Sequence, residues 1–357
     1  MSSFTILGGG YDAFIASYTF TPDNASLVLR STYPSGQNPS WISLNPTNTN
    51  VLYATNENTE GGLQSFALYP TGGLSAAVDT VESGGDAPAY CTWLSTGEVA
   101  VMNYNSGTGR IIPTASADLI FADEAPVITF PVLNNISHPH MAYEYGDEVL
   151  IPDLGGDVIW RLKQESAGNY SIQGQIDQPE GSGPRHISVY DGYLYTLHEL
   201  ASTLTVQQMP SAPNGTSDIV SNVTIIPDDA PEGSAWGAAE ILIPEPTDAF
   251  PTAYIYVSNR NIGNVTDPRG DTVAIFEHVN KGEEGEELQL VKQFYTGINQ
   301  VRGMEFSPNG AEYLVAAGVV GDAGAIVFRR IDNGTDFEEV ASNQEVATLT
   351  SFVWLSY

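Results

Sequence analysis

Lys and Arg number only 12 against 43 Asp and Glu in this 357-residue chain, so each cation is conspicuous. Several scarce polar residues fall at matching places in apolar segments. Arg185 and Arg302 open two of them (PRHISV and VRGMEF), and His140 opens a third (PHMAYEY). Glu199 and Arg260 close two others, LYTLHE and IYVSNR. Guanidinium groups grip carboxylates and developing oxyanions with a planar fork of donors. A carboxylate and an imidazole can move a proton at neutral pH. Gathered in one place, such a set could open or close an ester ring. His138, His186 and His198 lie beside these positions and are candidate substrate contacts. A single Arg at a strand end is usually a solvated surface residue, but three Arg, a His and a Glu converging by accident is far less common.

Convergence depends on the elements that hold these residues. A unit of turn residue, alternating apolar strand, Gly/Asn/Asp turn and second apolar strand recurs along the chain. Copies begin at Pro39, Pro88, Pro139 and Pro184, near Gly237, and at Val301. Alternation of period two with turn residues between marks strands, and no stretch of ten residues or more sustains a helical period. Such a unit cannot bury both faces alone and must stack on copies of itself, radially in a propeller. The N-terminal FTILGGG, AFIASYTF and SLVLRSTY and the C-terminal TSFVWLSY are left over, and pairing them makes one more unit. The expectation is an all-β, seven-bladed β-propeller of four-stranded antiparallel blades, one of them composite and closed by N- and C-terminal strands. Residues 1–357 form one domain in this reading, with 210–236 and 262–270 as inter-strand loops. In a propeller, the start of the innermost strand and the end of the second lie at one face. His140, Arg185, Glu199, Arg260 and Arg302 are therefore expected at one mouth of the central channel.

Composition narrows the partners. A formal charge of −31 excludes general affinity for nucleic acid or anionic membranes, and no apolar run reaches membrane-helix length. Asn-X-Ser/Thr sequons stand at Asn24, Asn135, Asn169, Asn214, Asn222, Asn264 and Asn333, about twice the number chance would place. The chain opens Met-Ser-Ser-Phe-Thr without an apolar leader. The expectation is a secreted glycoprotein whose signal peptide has been removed, and a monomer. Asp153 and Asp157 of DLGGD read as turn acceptors rather than a calcium loop, and no metal or other cofactor is expected. Cys91 reads as a core residue, and His278 as a surface one.

GSGPRH (Gly181 to His186) followed by LHELASTLTV (Leu197 to Val206) resembles the six-phosphogluconolactonase-like propellers, a family that includes the fungal carboxy-cis,cis-muconate lactonizing enzymes. HPHM (His138 to Met141) with IPDLGGD (Ile151 to Asp157), and VRGMEFSPNG (Val301 to Gly310), resemble other blades of that family. The resemblance spans the whole chain. It implies a metal-free site at one propeller face, with the family's His, Arg and Glu at His140, Arg185 and Glu199 and a later Arg at Arg260. Arg302 resembles the sixth-blade Pro-Arg position, with Val301 replacing the Pro, and His198 stands where Asn is common. Three functions follow as expectations. One is hydrolysis of a sugar (aldono-)lactone, with Glu199 and His140 as the proton-transfer pair and Arg185 and Arg260 on carboxylate or oxyanion. The second is a muconate cyclase, whose carboxylated substrate suits three Arg. The third is a non-catalytic propeller binding a glycan or a protein at the same face.

Overall fold

A computed structural model describes residues 3–134, 136–308 and 310–355. The alternating segments form seven antiparallel sheets, six of four strands and one of five. Within the sheets the chain mostly steps to the neighbouring strand, and most successive sheets touch through their first strands, which places those strands around the axis. Two 3-10 turns, Pro22–Asn24 and Asp332–Gly334, are the only helical elements among the described residues.

Blade 1 begins with Ile42–Leu44 and Val51–Asn56, and blade 2 with Pro88–Leu94 and Glu98–Asn103. Blade 3 begins with Tyr143–Tyr145 and Glu148–Asp153, and blade 4 with Pro184–Tyr190 and Tyr193–His198. Blade 5 begins with Trp236–Leu242 and Ile255–Asn261, and blade 6 with Asn299–Phe306 and Tyr313–Val320. Blade 7 is composite, as the unpaired terminal segments predict. Leu349–Leu355 is its inner strand and pairs with Phe4–Gly10, which leads to Phe14–Thr21 and Ser26–Pro34. This pairing of strands from the two ends of the sequence closes the ring. The triple glycine of FTILGGG has a steric cause here. A Cβ on Gly9 would lie 2.3 Å from the Pro39 carbonyl oxygen, and one on Gly10 1.9 Å from that of Thr348.

The core is laid between blades. Where blades 6 and 7 meet, Ile6, Phe20, Val315, Tyr313 and Trp354 pack together, with Phe20 edge-on to Tyr313 at 5.0 Å. Each fully buried side chain of this size contributes roughly 1.5–3 kcal/mol, so closure is held by inter-blade packing as well as by the ladder.

Two details depart from the expected pattern. The stretch 210–236 is not all loop, because Ile219–Thr224 is the fourth strand of blade 4. Its residues alternate between half-buried and exposed, as on an edge strand, and flanking prolines and sequons mask that period in the sequence. In blade 2 the outer place is split between Ile120–Phe121 and Ile128–Thr129. Residues 262–270 do form a loop.

Candidate active site

Register fixes which ends meet. Pro184 pairs with His198, Gly237 with Arg260, Val301 with Gly318, and Pro139 bridges Asp153. The starts of inner strands and the ends of second strands therefore share one face. Several inner strands also carry a bulge at this end. The ladder slips between Pro184 and His186, between Ala238 and Ile241, and between Val301 and Gly303. A bulge interrupts side-chain alternation and re-aims the extra residue. This lets the consecutive residues Arg185 and His186 both lie buried near the axis, each 2% exposed.

His140, Arg185, Glu199, Arg260 and Arg302 come together as the repeat predicts. Glu199 is the centre: its Oε2 accepts from Arg185 Nη1 at 2.5 Å and its Oε1 faces Arg260 Nη2 at 2.9 Å. The backbone holds both cations from behind, with Arg185 Nε donating to Ala239 O at 3.0 Å and Arg260 Nη2 to Ala238 O at 2.9 Å. Arg302 is looser. Its ion-pair partner among the described residues is Glu57, 3.9 Å away, and its guanidinium lies 5.5 Å from the Tyr11 ring. His140 Nδ1 is 3.1 Å from His186 Nε2, and His186 Nδ1 is 2.9 Å from Glu240 Oε2. His138 stacks on Tyr104 at 4.3 Å, and its Nδ1 contacts the Tyr104 carbonyl oxygen at 2.7 Å.

Charges follow from this geometry. Burial alone would raise the Glu199 carboxyl, but the charges and hydrogen bonds of Arg185 and Arg260 override it and hold the group at about 2. Glu199 is thus ionised at neutral pH. Burial pushes Arg260 down to about 10, with Arg185 adding to the effect. His140 lies well below its ordinary 6.5, first from burial and then from Arg185, His186, Arg302 and Arg260. Its imidazole is therefore neutral and able to accept a proton.

A second layer of residues orients the first. Asp153 Oδ1 accepts from the backbone N–H of His138, Gly155 and Gly156 at 2.7, 3.1 and 3.0 Å. Its Oδ2 accepts from Ser137 Oγ and Trp160 Nε1 at 2.6 and 2.9 Å, which fixes the segment leading to His140. Asp157 accepts from Gly181 and Gly183 N–H at 2.8 and 2.9 Å, just before Arg185. Both aspartates are the turn acceptors expected. Tyr11, Glu57, Tyr104 and Glu240 were not singled out by sequence. A signal existed for three of them: Tyr11, Glu57 and Tyr104 each directly follow the second strand of their blade, the place Glu199 occupies in blade 4.

Other expected positions lie elsewhere. His198 is fully buried, bonded through Nε2 to Thr205 at 2.8 Å, and pushed by burial to about 3, with no arginine of the cluster against it. His278 is not a surface residue. It is 7% exposed, because Tyr193 packs on its ring and Tyr195 and Glu286 bond its two nitrogens at 2.8 and 2.9 Å. Cys91 is a core residue whose thiol burial pushes up to about 12. Asn24, Asn169, Asn214, Asn222, Asn264 and Asn333 are exposed, and Asn135 lies outside the described residues.

A cavity of about 370 Å³ enters from the opposite face, lined at the far ends of the inner strands by Leu44, Phe306 and Trp354 and deeper in by Trp41 and Tyr90. It reaches His186 and Glu240 but none of the cluster's arginines, nor Glu199. Its walls are apolar with two carboxylates, Glu240 and Glu305, so it offers no cation to a developing oxyanion. The arginine mouth, at the other face, is where the cations are gathered.

Comparison with known proteins agrees with this architecture. A "Probable 6-phosphogluconolactonase" of Arthroderma benhamiae is 25% identical over 317 residues, 84% of this chain and 76% of its own length. The structure of a periplasmic gluconolactonase from Pseudomonas aeruginosa superposes with a TM-score of 0.81 at 21% identity, covering 99% of each chain. A protein from Lactobacillus plantarum superposes with a TM-score of 0.82 at 22% identity, covering 99% of this chain and 100% of its own. The model of the family "Lactonase, 7-bladed beta-propeller" matches residues 5–354, and the chain belongs to that family.

Proposed function

We propose that the protein hydrolyses a sugar lactone of the aldonolactone class at the arginine mouth. The observation that carries this reading is a buried His140 close to Arg185, Arg260 and Arg302, two of which are clamped by Glu199. Hydrolysis needs a base to take a proton from water and donors for the tetrahedral oxyanion. His140 Nε2 is the base. Water adds to the lactone carbonyl as its proton passes to Nε2, and the oxyanion forms against the arginines. The ring C–O bond then breaks and the departing alkoxide takes the proton back from the imidazolium, giving the hydroxy acid. Glu199 keeps both arginine forks in place, and Arg302 retains donors for a substrate or product oxygen.

Cyclization of a muconate would require a group that already holds a transferable proton. Glu199 is ionised and His140 neutral, which favours ring opening. A silent binding propeller has no use for a buried neutral imidazole next to three guanidiniums. The exposed sequon asparagines support an extracellular setting, where unphosphorylated aldonolactones suit the enzyme better than phosphorylated ones.

The test is a pH-stat assay with glucono-δ-lactone, cellobionolactone, 6-phosphogluconolactone and a carboxylated cis,cis-muconate. Acid release well above the spontaneous rate from an unphosphorylated lactone is expected. Loss of diene absorbance without lactone opening would overturn the proposal.

A further inference from the structure

Hydrolysis at the mouth leaves a chain of buried polar groups beneath it unexplained. His186 and Glu240 occupy equivalent places in blades 4 and 5, one residue after Arg185 and Ala239, and the bulges there turn both towards the axis. Glu240 is 4% exposed and His186 2%. Glu240 Oε2 stands 2.9 Å from His186 Nδ1, and His186 Nε2 stands 3.1 Å from His140 Nδ1. The carboxylate oxygen can only accept, so His186 bears its proton on Nδ1 and presents a lone pair at Nε2. That lone pair takes the Nδ1–H of His140. The remaining nitrogen, His140 Nε2, is then an acceptor, and no described residue bonds to it.

We infer that Glu240 and His186 are positioning residues for the reaction, a carboxylate–imidazole–imidazole relay that fixes the His140 tautomer with its lone pair at Nε2 and stabilises the imidazolium formed during turnover. This inference rests on the hydrolytic reading above. The logic is that of an acid holding a catalytic imidazole, with a second imidazole interposed.

The surroundings suit such a relay. Trp41 and Tyr90 meet the His186 ring edge-on at 5.4 and 5.7 Å, and the Tyr104 ring stands 5.7 Å from His140. These rings pack against the two imidazoles and enclose the pair. The charged and titratable groups that act on the pair are Arg185, Arg260, Arg302 and Glu240. Glu305 lies beyond Glu240 in the same funnel, pushed to about 8 by burial and by the Glu240 charge. Among the described residues Glu240 Oε1 has no hydrogen-bond partner, and the polar contact of this side chain is the His186 imidazole.

The relay is tested with E240Q, and with E305Q as a control that changes a carboxyl in the same funnel without touching either imidazole. E240Q removes the anion, and its amide can also donate to His186 Nδ1, which reverses both tautomers and puts a proton on His140 Nε2. The expected result is a kcat lowered by about 100-fold, KM within a few-fold of wild type, and an acid limb of the pH profile displaced. E305Q should keep wild-type kcat. A second readout needs no substrate. Nitrogen-15 spectra of labelled histidine in the intact protein should show His140 protonated on Nδ1 in the wild type and altered in E240Q. E240Q with wild-type kcat and pH profile, or wild-type His140 protonated on Nε2, would overturn the relay. A wild-type protein with the expected tautomer but no lactone turnover would instead sink the functional reading and leave the relay geometry standing.

Discussion

Replacing Glu199 with Gln removes the one anion shared by two buried guanidiniums, and its cost can be worked from the site. The carboxyl titrates near 4.5 when free and at about 2 in the folded chain, and its side chain is 18% exposed. That difference corresponds to about 3 kcal/mol of stability at neutral pH. The folded value is the lower one, so the contribution is complete above about 4.5 and is lost as pH falls towards 2. E199Q should therefore be less stable than wild type by about 3 kcal/mol at pH 7, or about 4 °C in Tm for a chain of this length. The gap should close steadily between pH 4.5 and 2. Urea unfolding followed by tryptophan fluorescence at several pH values measures both. Turnover should drop by about 100-fold, because Arg185 and Arg260 lose the anchor that aims them. An E199Q protein as stable as wild type at pH 7, with an unchanged acid dependence, would show that Glu199 does not stabilise the folded chain through these two arginines.

Further predictions follow from neighbouring contacts. Arg302, held only loosely by Glu57, should serve binding rather than chemistry, so R302A should raise KM by about 10- to 100-fold while kcat stays within a few-fold, read by steady-state kinetics. The acid limb of kcat/KM should fall well below 6.5, because burial and the arginines disfavour the His140 imidazolium, and activity should be level from there to neutral pH. A limb at 6.5 or above would contradict this. D153N turns one acceptor oxygen into a donor facing groups that already donate, and should cost about 2–3 kcal/mol in urea unfolding with loss of activity. Secreted from a glycosylating host, the chain should lose mass on glycosidase treatment. No change would argue against an extracellular setting.

Much of the architecture was legible because strands announce themselves by alternation. LYTLHE and IYVSNR locate second strands, and leftover segments at both termini predict the composite blade. The phase of those strands then brings Arg185, Glu199 and Arg260 to one face without any knowledge of side-chain contacts. What could not be read is set by irregular backbone. The bulges that turn Arg185 and His186 inwards together leave no mark on the pattern of apolar residues, so Glu240 looked like an ordinary strand residue in AAEIL. His198 shows the converse. It directly precedes Glu199, but regular alternation points it into the blade, onto Thr205. The place of His278 after VAIFE, near a strand end, predicts exposure, whereas partners from blade 4 cover it. Cross-blade contacts of this kind are invisible to local patterning.

Lactone opening in the proposed reaction depends most directly on His140 as its base. Rates of glucono-δ-lactone opening should be measured in a pH-stat for wild type and H140Q, with melting temperatures of both. H140Q should fall by about 100- to 1,000-fold towards the spontaneous rate while its melting temperature barely moves. An H140Q variant that opens the ring as fast as wild type would contradict it.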